Sequence, residues 1–339
     1  MNSGDIYSWL LLKAIKGLGE KSIKRLYLKY RDPKLILELD IQELAQVIGQ
    51  ERSQKLKKRE LSFDPEKVLY SVEREGILCL SFSDKEYPEL LREIEDPPPI
   101  LFCRGSLKSH PLVAVIGTRR PEYYSVSFTK DVVKQLVELS FGIVSGGAKG
   151  IDMLSHKYCA EFGGYTLCVL GMGILRSPKE LENLVVKNGA LISEFLPEEN
   201  PNAFTFPRRN RIISGVSKSV FIVEAGIKSG ALITAEYANK QKRPVYVHIG
   251  VGKSNRWDGC VKLLNEGKAK FFRDVKETLG EFNPFGKEED EFLSLLVSPK
   301  TFEELILLSG LDARELSAKL TTYELSGKIK RLGAYYRLT

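Results

Sequence analysis

The stretch Leu112-Val113-Ala114-Val115-Ile116-Gly117-Thr118-Arg119 decides the fold class. Five apolar residues without a polar interruption, stopped by glycine, read as a strand buried on both faces. The same pattern recurs on either side of it. Gly142-Ile143-Val144 stops at Ser145-Gly146-Gly147, Tyr165–Leu170 stops at Gly171-Met172-Gly173, and Ala190–Ile192 stops at Ser193-Glu194. Ser219–Val223 stops at Glu224-Ala225-Gly226, and Pro244–Ile249 stops at Gly250. Amphipathic helix patterns lie between several of these runs, among them Ser127–Leu139 and Gly230–Gln241. Buried strands alternating with helices predict an α/β fold, a Rossmann-like, doubly wound, mostly parallel sheet. In such a sheet the ligand crevice opens at the carboxyl ends of the strands, where this chain carries Gly, Ser, Thr and Arg.

The flanks differ in texture and charge. Residues 1–62 hold 13 Lys/Arg against 8 Asp/Glu, and residues 287–339 hold 8 against 9. The division expected is a helical, helix-hairpin-helix or SAM-like domain at 1–62, an extended Rossmann-like domain at 63–286 and a winged helix at 287–339. In the first, apolar residues at helical spacing over Ile6–Ala14 and Lys21–Tyr30 surround Ile15-Lys16-Gly17-Leu18-Gly19, a turn whose amides and lysines can meet a phosphate. Lys55-Leu56-Lys57-Lys58-Arg59 reads as a solvated helix end. In the last, Thr301 and Glu304 form a capping box, Asp312 caps a second helix, and Lys328–Leu338 predicts two short strands around Gly333. Phe282–Gly286 reads as the linker before it.

The 339 residues contain no run of ~18–20 apolar residues, so no membrane span is expected. Five cysteines in no CxxC pair fit a reducing compartment, and the absence of a signal-peptide pattern makes the cytoplasm the expected location. A net charge of +7 permits a polyanionic partner without requiring one.

Four motifs can carry chemistry. Ser145-Gly146-Gly147-Ala148-Lys149-Gly150-Ile151-Asp152 follows a strand and opens a helix. Gly146, Gly147 and Gly150 let backbone amides approach an anion, and Lys149 adds a full charge. It is not a Walker A sequence, so phosphate binding is expected rather than ATP hydrolysis. Asp152 reads as a first-turn acid favoured by the helix dipole. Arg119 or Arg120, in the first βα loop, can grip a phosphate with two hydrogen bonds. In Phe206-Pro207-Arg208-Arg209-Asn210-Arg211, three cations in four residues need compensation. Internal carboxylates could supply it, or a nucleic-acid backbone with Phe204 or Phe206 as a stacking face. Ser229-Gly230-Ala231-Leu232-Ile233-Thr234-Ala235-Glu236 allows close approach at another strand end. The three histidines are scattered, His156 reads as a packing residue, and no metal cluster, catalytic constellation or cofactor is called for.

Together these motifs resemble the DNA-processing family called DprA or Smf. The residues that carry the resemblance are Tyr87-Pro88, Asp96–Leu101, Ile116–Arg119, SGGAKGID at 145–152, FPRRNRIISG at 206–215, and Glu224-Ala225 with SGALITAE at 229–236. Where the family continues Gly-Met-Gly with a polar stretch, this chain has Ile174–Pro178. The resemblance implies single-stranded DNA binding, a homodimer, and loading of the RecA recombinase during natural transformation, without enzymatic turnover. It also implies that Arg119 and Lys149 contact DNA, with Arg208, Arg209 and Arg211 near the same pocket. A second resemblance is to nucleotide-processing phosphoribohydrolases on a related scaffold, where Glu236 and an arginine would act, but their PGGxGT run is missing. A scaffold with a protein as its main partner is the third reading.

Overall fold

The computed structural model describes residues 3–250, 254–279, 292–293, 295–296, 299–325 and 329–338. These fall into two compact units, Met1–Gly280 and Glu281–Thr339. The linker expected at Phe282–Gly286 lies outside the described residues.

The first unit opens with helices α1 (Ser3–Ala14), α2 (Glu20–Tyr30), α3 (Pro33–Glu38), α4 (Ile41–Ile48), α5 (Gln50–Lys57) and α6 (Pro65–Arg74). Asp32, Asp40 and Asp64 start three of them, each accepting hydrogen bonds from first-turn amides. Then follow β1 (Leu78–Ser81), α7 (Glu89–Glu93), β2 (Ile100–Gly105), β3 (Leu112–Ile116), α8 (Tyr123–Glu138), β4 (Gly142–Ser145) and α9 (Ile151–Glu161). The chain continues through β5 (Thr166–Val169), α10 (Lys179–Val186), β6 (Gly189–Ser193), α11 (Thr205–Gly215), β7 (Ser219–Ile222) and α12 (Ala231–Lys240). It ends with β8 (Val245–Val247), α13 (Asp258–Asn265), β9 (Lys270–Phe271) and α14 (Val275–Leu279).

The nine strands form one sheet in the order β1-β2-β6-β5-β4-β3-β7-β8-β9. From β6 to β9 every pairing is parallel, while β1 and β2 add an antiparallel edge. The six expected strands are all present, and the doubly wound fold is as the apolar runs predicted. The strands β1, β2 and β9 were not foreseen; β1 and β9 are short edge strands, whose sequences lack a continuous buried run.

Both faces of the sheet are covered. On one, Val132 and Leu136 of α8 pack with Ile143, Phe221 and Val275. On the other, a single cluster runs from Trp9, Leu26 and Leu44 of the N-terminal helices through Leu101 of β2 to Val169 and Ala235. Trp9, Tyr27, Phe82 and Tyr87 join by ring contacts of 4.9–6.3 Å, and Trp9 Nε1 donates to Ser83 Oγ at 3.2 Å. The N-terminal helices thus share the core of the sheet. Each buried Leu, Ile or Val contributes about 1.5–3 kcal/mol of transfer free energy to that arrangement.

The second unit contains β10 (Lys300–Thr301), α15 (Phe302–Ser309), α16 (Ala313–Leu325), β11 (Ile329–Leu332) and β12 (Tyr335–Leu338). The Thr301–Glu304 capping box is formed. The strands pair antiparallel in the order β10-β12-β11, and two helices with this small sheet are consistent with the winged helix expected. Among the described residues no helix is long and apolar enough to cross a membrane.

Candidate nucleic-acid interface

The direction of chain progress reverses at β3. Its neighbour on one side is β4, leading to β5 and β6, and on the other β7, leading to β8. At such a switch point the loops leaving the two strands diverge and open a crevice. A cleft of about 680 Å³ lies there, walled by the loop after β3, the start of α9, α11 and the turn into α12.

Backbone contacts hold these loops together. The Thr118 amide donates to the Glu224 carbonyl at 2.8 Å, and the Ile151 amide donates to the Thr118 carbonyl at 3.1 Å. Gly150 has φ +85°, and a methyl group there would lie 2.3 Å from the Thr118 oxygen. Only glycine permits this approach, which sets the Lys149–Gly150 loop directly against Thr118–Arg119. Arg119 and Lys149 are both exposed on the rim so formed, and neither has an ion pair among the described residues. Arg119 lines the cleft with its guanidinium 5.9 Å from the Phe206 ring centroid, whereas Lys149 lies outside the cleft lining. Ser229 and Gly230 line the opposite wall, where the Gly230 carbonyl accepts from Asn210 Nδ2 at 3.3 Å.

The glycine loop itself is arranged differently from the expectation. The amide of Gly146 donates to Asp152 Oδ2 at 3.2 Å. Burial pushes the Asp152 carboxyl above its usual pKa, against the opposing pull of Arg209 and of the Gly146, Gly117 and Ala148 amides. The protein's own carboxylate therefore sits where a phosphate oxygen was expected. Gly146 and Gly147 also face inward, since side chains there would strike the Arg209 guanidinium and Leu181 respectively. These two glycines close the loop onto the protein rather than onto a ligand. Asp152 was read as a helix-dipole acid because burial cannot be seen in local sequence.

The three arginines of α11 separate because successive helical residues point about 100° apart. Arg209 is buried at the cleft floor, where its Nη1 donates to the Gly146 carbonyl at 2.7 Å and to the Val169 carbonyl. Arg211 is 2% exposed and bridges Glu194 at 2.6 Å and Asp96 at 3.1 Å. It lies off the cleft, which corrects the expectation of a DNA contact there. Arg208 is half-exposed, contacting Glu20 of α2 and lying 3.5 Å from Glu194. Lys13 of α1 belongs to the same group, and burial pushes its ammonium pKa down against the pull of Glu194 and Glu20. Internal carboxylates thus compensate the arginine run. Two buried cations so held are structural, since desolvated guanidinium groups with protein acceptors offer no surface to a strand.

Two features bear on the cleft that sequence reasoning passed over. Lys228, immediately before the SGALITAE stretch, is exposed on its lining. Gly171 lies against the Phe206 ring, 2.6 Å from where its methyl group would stand, so the Gly-Met-Gly turn seats that ring. Glu236 is exposed on α12 and is not part of the cleft wall, so the acid assigned to phosphoribohydrolase chemistry is absent from it. His156 is buried, with Nδ1 2.7 Å from Thr166 Oγ1, a packing position as expected. Among the described residues no group of His, Cys, Asp and Glu could hold a metal ion.

Comparison with known proteins agrees with this architecture. Residues 78–283 match the family model described as DNA recombination-mediator protein A. The chain is 33% identical over 278 residues to protein Smf of Synechocystis, spanning 78% of this chain and 70% of that one. It is 35% identical over 226 residues to DNA processing protein DprA of Bacillus subtilis, spanning 64% and 76%. The X-ray structure of DprA from Streptococcus pneumoniae superposes with a TM-score of 0.70 at 34% identity, covering 83% of this chain and 98% of that one. A Helicobacter pylori DprA structure, described by its single-stranded DNA binding mode, gives 0.54 at 28% identity over 60% and 94%. The chain belongs to the DNA recombination-mediator protein A family, whose members carry the names DprA and Smf.

Proposed function

We propose that this protein binds single-stranded DNA across the switch-point cleft and delivers it to a RecA-type recombinase, acting in the cytoplasm as a homodimer without turning over a substrate. The observation that carries the binding reading is the pairing of Arg119 with the Phe206 ring at the cleft mouth, beside the exposed Lys149 loop. A cation and an aromatic face at one rim suit a strand whose phosphates need neutralising and whose bases need stacking. Gly150, Ser229 and Gly230 shape the walls, Arg209 holds the floor, Gly146 and Gly147 close the loop beneath it, and Arg208 and Arg211 brace α11 on its side away from the cleft. The described relative from Helicobacter pylori supports the ligand, and the family description supports the recombination step. In this reading residues 1–62, 63–286 and 287–339 are three functional parts, and natural transformation is the process served.

The test is a salt titration of oligo-dT binding by the wild type, by Arg119→Ala and by the Arg119→Ala/Lys149→Ala double variant. Counterion release predicts weaker binding and a shallower salt slope in both variants. A double variant that binds as the wild type does would sink the reading. The RecA step is checked separately by whether the protein speeds RecA nucleation on single strands coated by a competing binding protein.

A further inference from the structure

The basic N-terminal helices carry charge that the cleft does not use. Four backbone and side-chain contacts join the α1–α2 turn to α5 and the residues after it. The Lys16 amide donates to the Glu60 carbonyl at 2.9 Å, Ile15 bridges Leu61, and Ser62 Oγ donates to the Ala14 carbonyl at 2.9 Å. Arg52 Nε donates to the Gly17 carbonyl at 3.1 Å, and Lys55 Nζ lies 3.8 Å from where a methyl group on Gly17 would stand. Arg59 takes a left-handed conformation, φ +49°, that turns the chain back toward Lys16. Lys16, Arg52, Lys55, Lys58 and Arg59 therefore gather about one turn, while Lys57 turns away and donates to the Leu39 carbonyl at 2.7 Å; residues 15–19 and 50–62 together hold two acids, Glu51 and Glu60. Glu51 is already paired with Lys55 at 2.6 Å, while Lys16, Lys58 and Arg59 are exposed and have no ion pair among the described residues. Such a surplus is repulsive unless a polyanion meets it.

The turn also lies next to the cleft's outer wall. It leads directly into Glu20, which contacts Arg208 of α11, the helix whose Phe206 and Arg209 line the cleft. Phe204, one helical turn ahead of Arg208, is 83% exposed and offers a ring face at the start of the same helix.

We propose that the α1–α2 turn with Lys16, Arg52, Lys58 and Arg59 is a second binding surface for a nucleic-acid phosphodiester backbone, continuous with the cleft. This rests on the single-strand reading above for its continuity, though not for its charge. The backbone it holds is that of the same single strand where it leaves the cleft.

The test compares wild type, Arg119→Ala and the Lys16→Gln/Lys58→Gln/Arg59→Gln triple variant on three probes. These are oligo-dT of about 6 nucleotides, oligo-dT of about 30 nucleotides, and a duplex of similar length. The triple variant should bind the short probe as the wild type does and lose roughly tenfold or more on the longer single strand. Its log–log salt slope should shrink by about 2, three lost phosphate contacts at about 0.7 each. Loss confined to the duplex, with the longer single strand unaffected, would overturn the proposal and assign the surface to duplex. Wild-type affinity and slope on both longer probes would overturn it. The cleft reading fails by a different result, an Arg119→Ala variant with undiminished short-probe binding. The melting temperature of the triple variant should match the wild type, because all three side chains are exposed.

Discussion

Arg209 and Asp152 hold Gly146 between them: its carbonyl accepts from Arg209 Nη1 at 2.7 Å and its amide donates to Asp152 Oδ2 at 3.2 Å. Opposite charges inside the protein thus shape the glycine loop before any ligand arrives. The loop's rim, with Arg119 and Lys149, is left to meet solvent and strand.

This separates a structural arginine from a binding one. Arg209→Ala removes a buried cation and leaves Asp152 desolvated without it, so stability should fall by about 3–5 kcal/mol. Arg119→Ala, at an exposed site, should change stability by less than about 0.5 kcal/mol while weakening oligonucleotide binding. Urea unfolding and fluorescence anisotropy measured on the same preparations distinguish them. Equal loss of stability in the two variants would remove the distinction.

Phe206 lies under the Arg119 guanidinium and against Gly171. Phe206→Ala should cost about 1–3 kcal/mol of single-strand binding, the usual worth of one stacked base. Phe206→Tyr should retain most of the affinity. The loss should be nearly independent of salt, unlike that of Arg119→Ala, and titrations at two ionic strengths check it.

Gly150→Ala places a methyl group against the Thr118 carbonyl in a backbone region closed to L-residues. Destabilisation beyond about 1 kcal/mol is expected, with weakened binding because the Arg119 and Lys149 loops separate. Gly230→Ala is the control, since nothing lies within 4 Å of its added methyl group. A melting temperature for Gly150→Ala equal to that of the control would contradict the loop contact.

His156 is buried as the neutral ring, with its pKa lowered by burial from 6.5 to about 3 and further disfavoured by Arg209. Between those values the unfolded chain binds a proton that the native chain refuses. Stability therefore rises with pH across the window and is lost on acidification, by a few kcal/mol toward its lower end. Replacing His156 with Gln removes that proton, so the variant's urea midpoint should fall less than the wild type's between about pH 7 and pH 4.5. Parallel losses in the two proteins would assign the acid sensitivity elsewhere.

Local sequence carried the strands of the parallel sheet, from LVAVI at 112–116 to the runs ending at Gly171 and Gly226, because burial on both faces leaves a continuous apolar signature that needs no partner to be read. It carried the Thr301–Glu304 cap for the same reason, since both halves lie within one helical turn. Arg119 and Lys149 were legible as rim cations because each lies in a glycine-containing loop within four residues of a strand's carboxyl end. The destinations of Arg208, Arg209 and Arg211 were not. Their partners Glu20, Glu194, Asp96 and the Gly146 carbonyl are far away in the chain, and only folding determines which cations meet carboxylates and which meet water. Asp152 shows the same limit, being a helix-dipole acid by its place in the first turn and a buried group once the sheet and α11 close over it. Short-range pattern determines secondary structure, whereas burial and charge pairing are long-range properties that the tertiary structure alone decides.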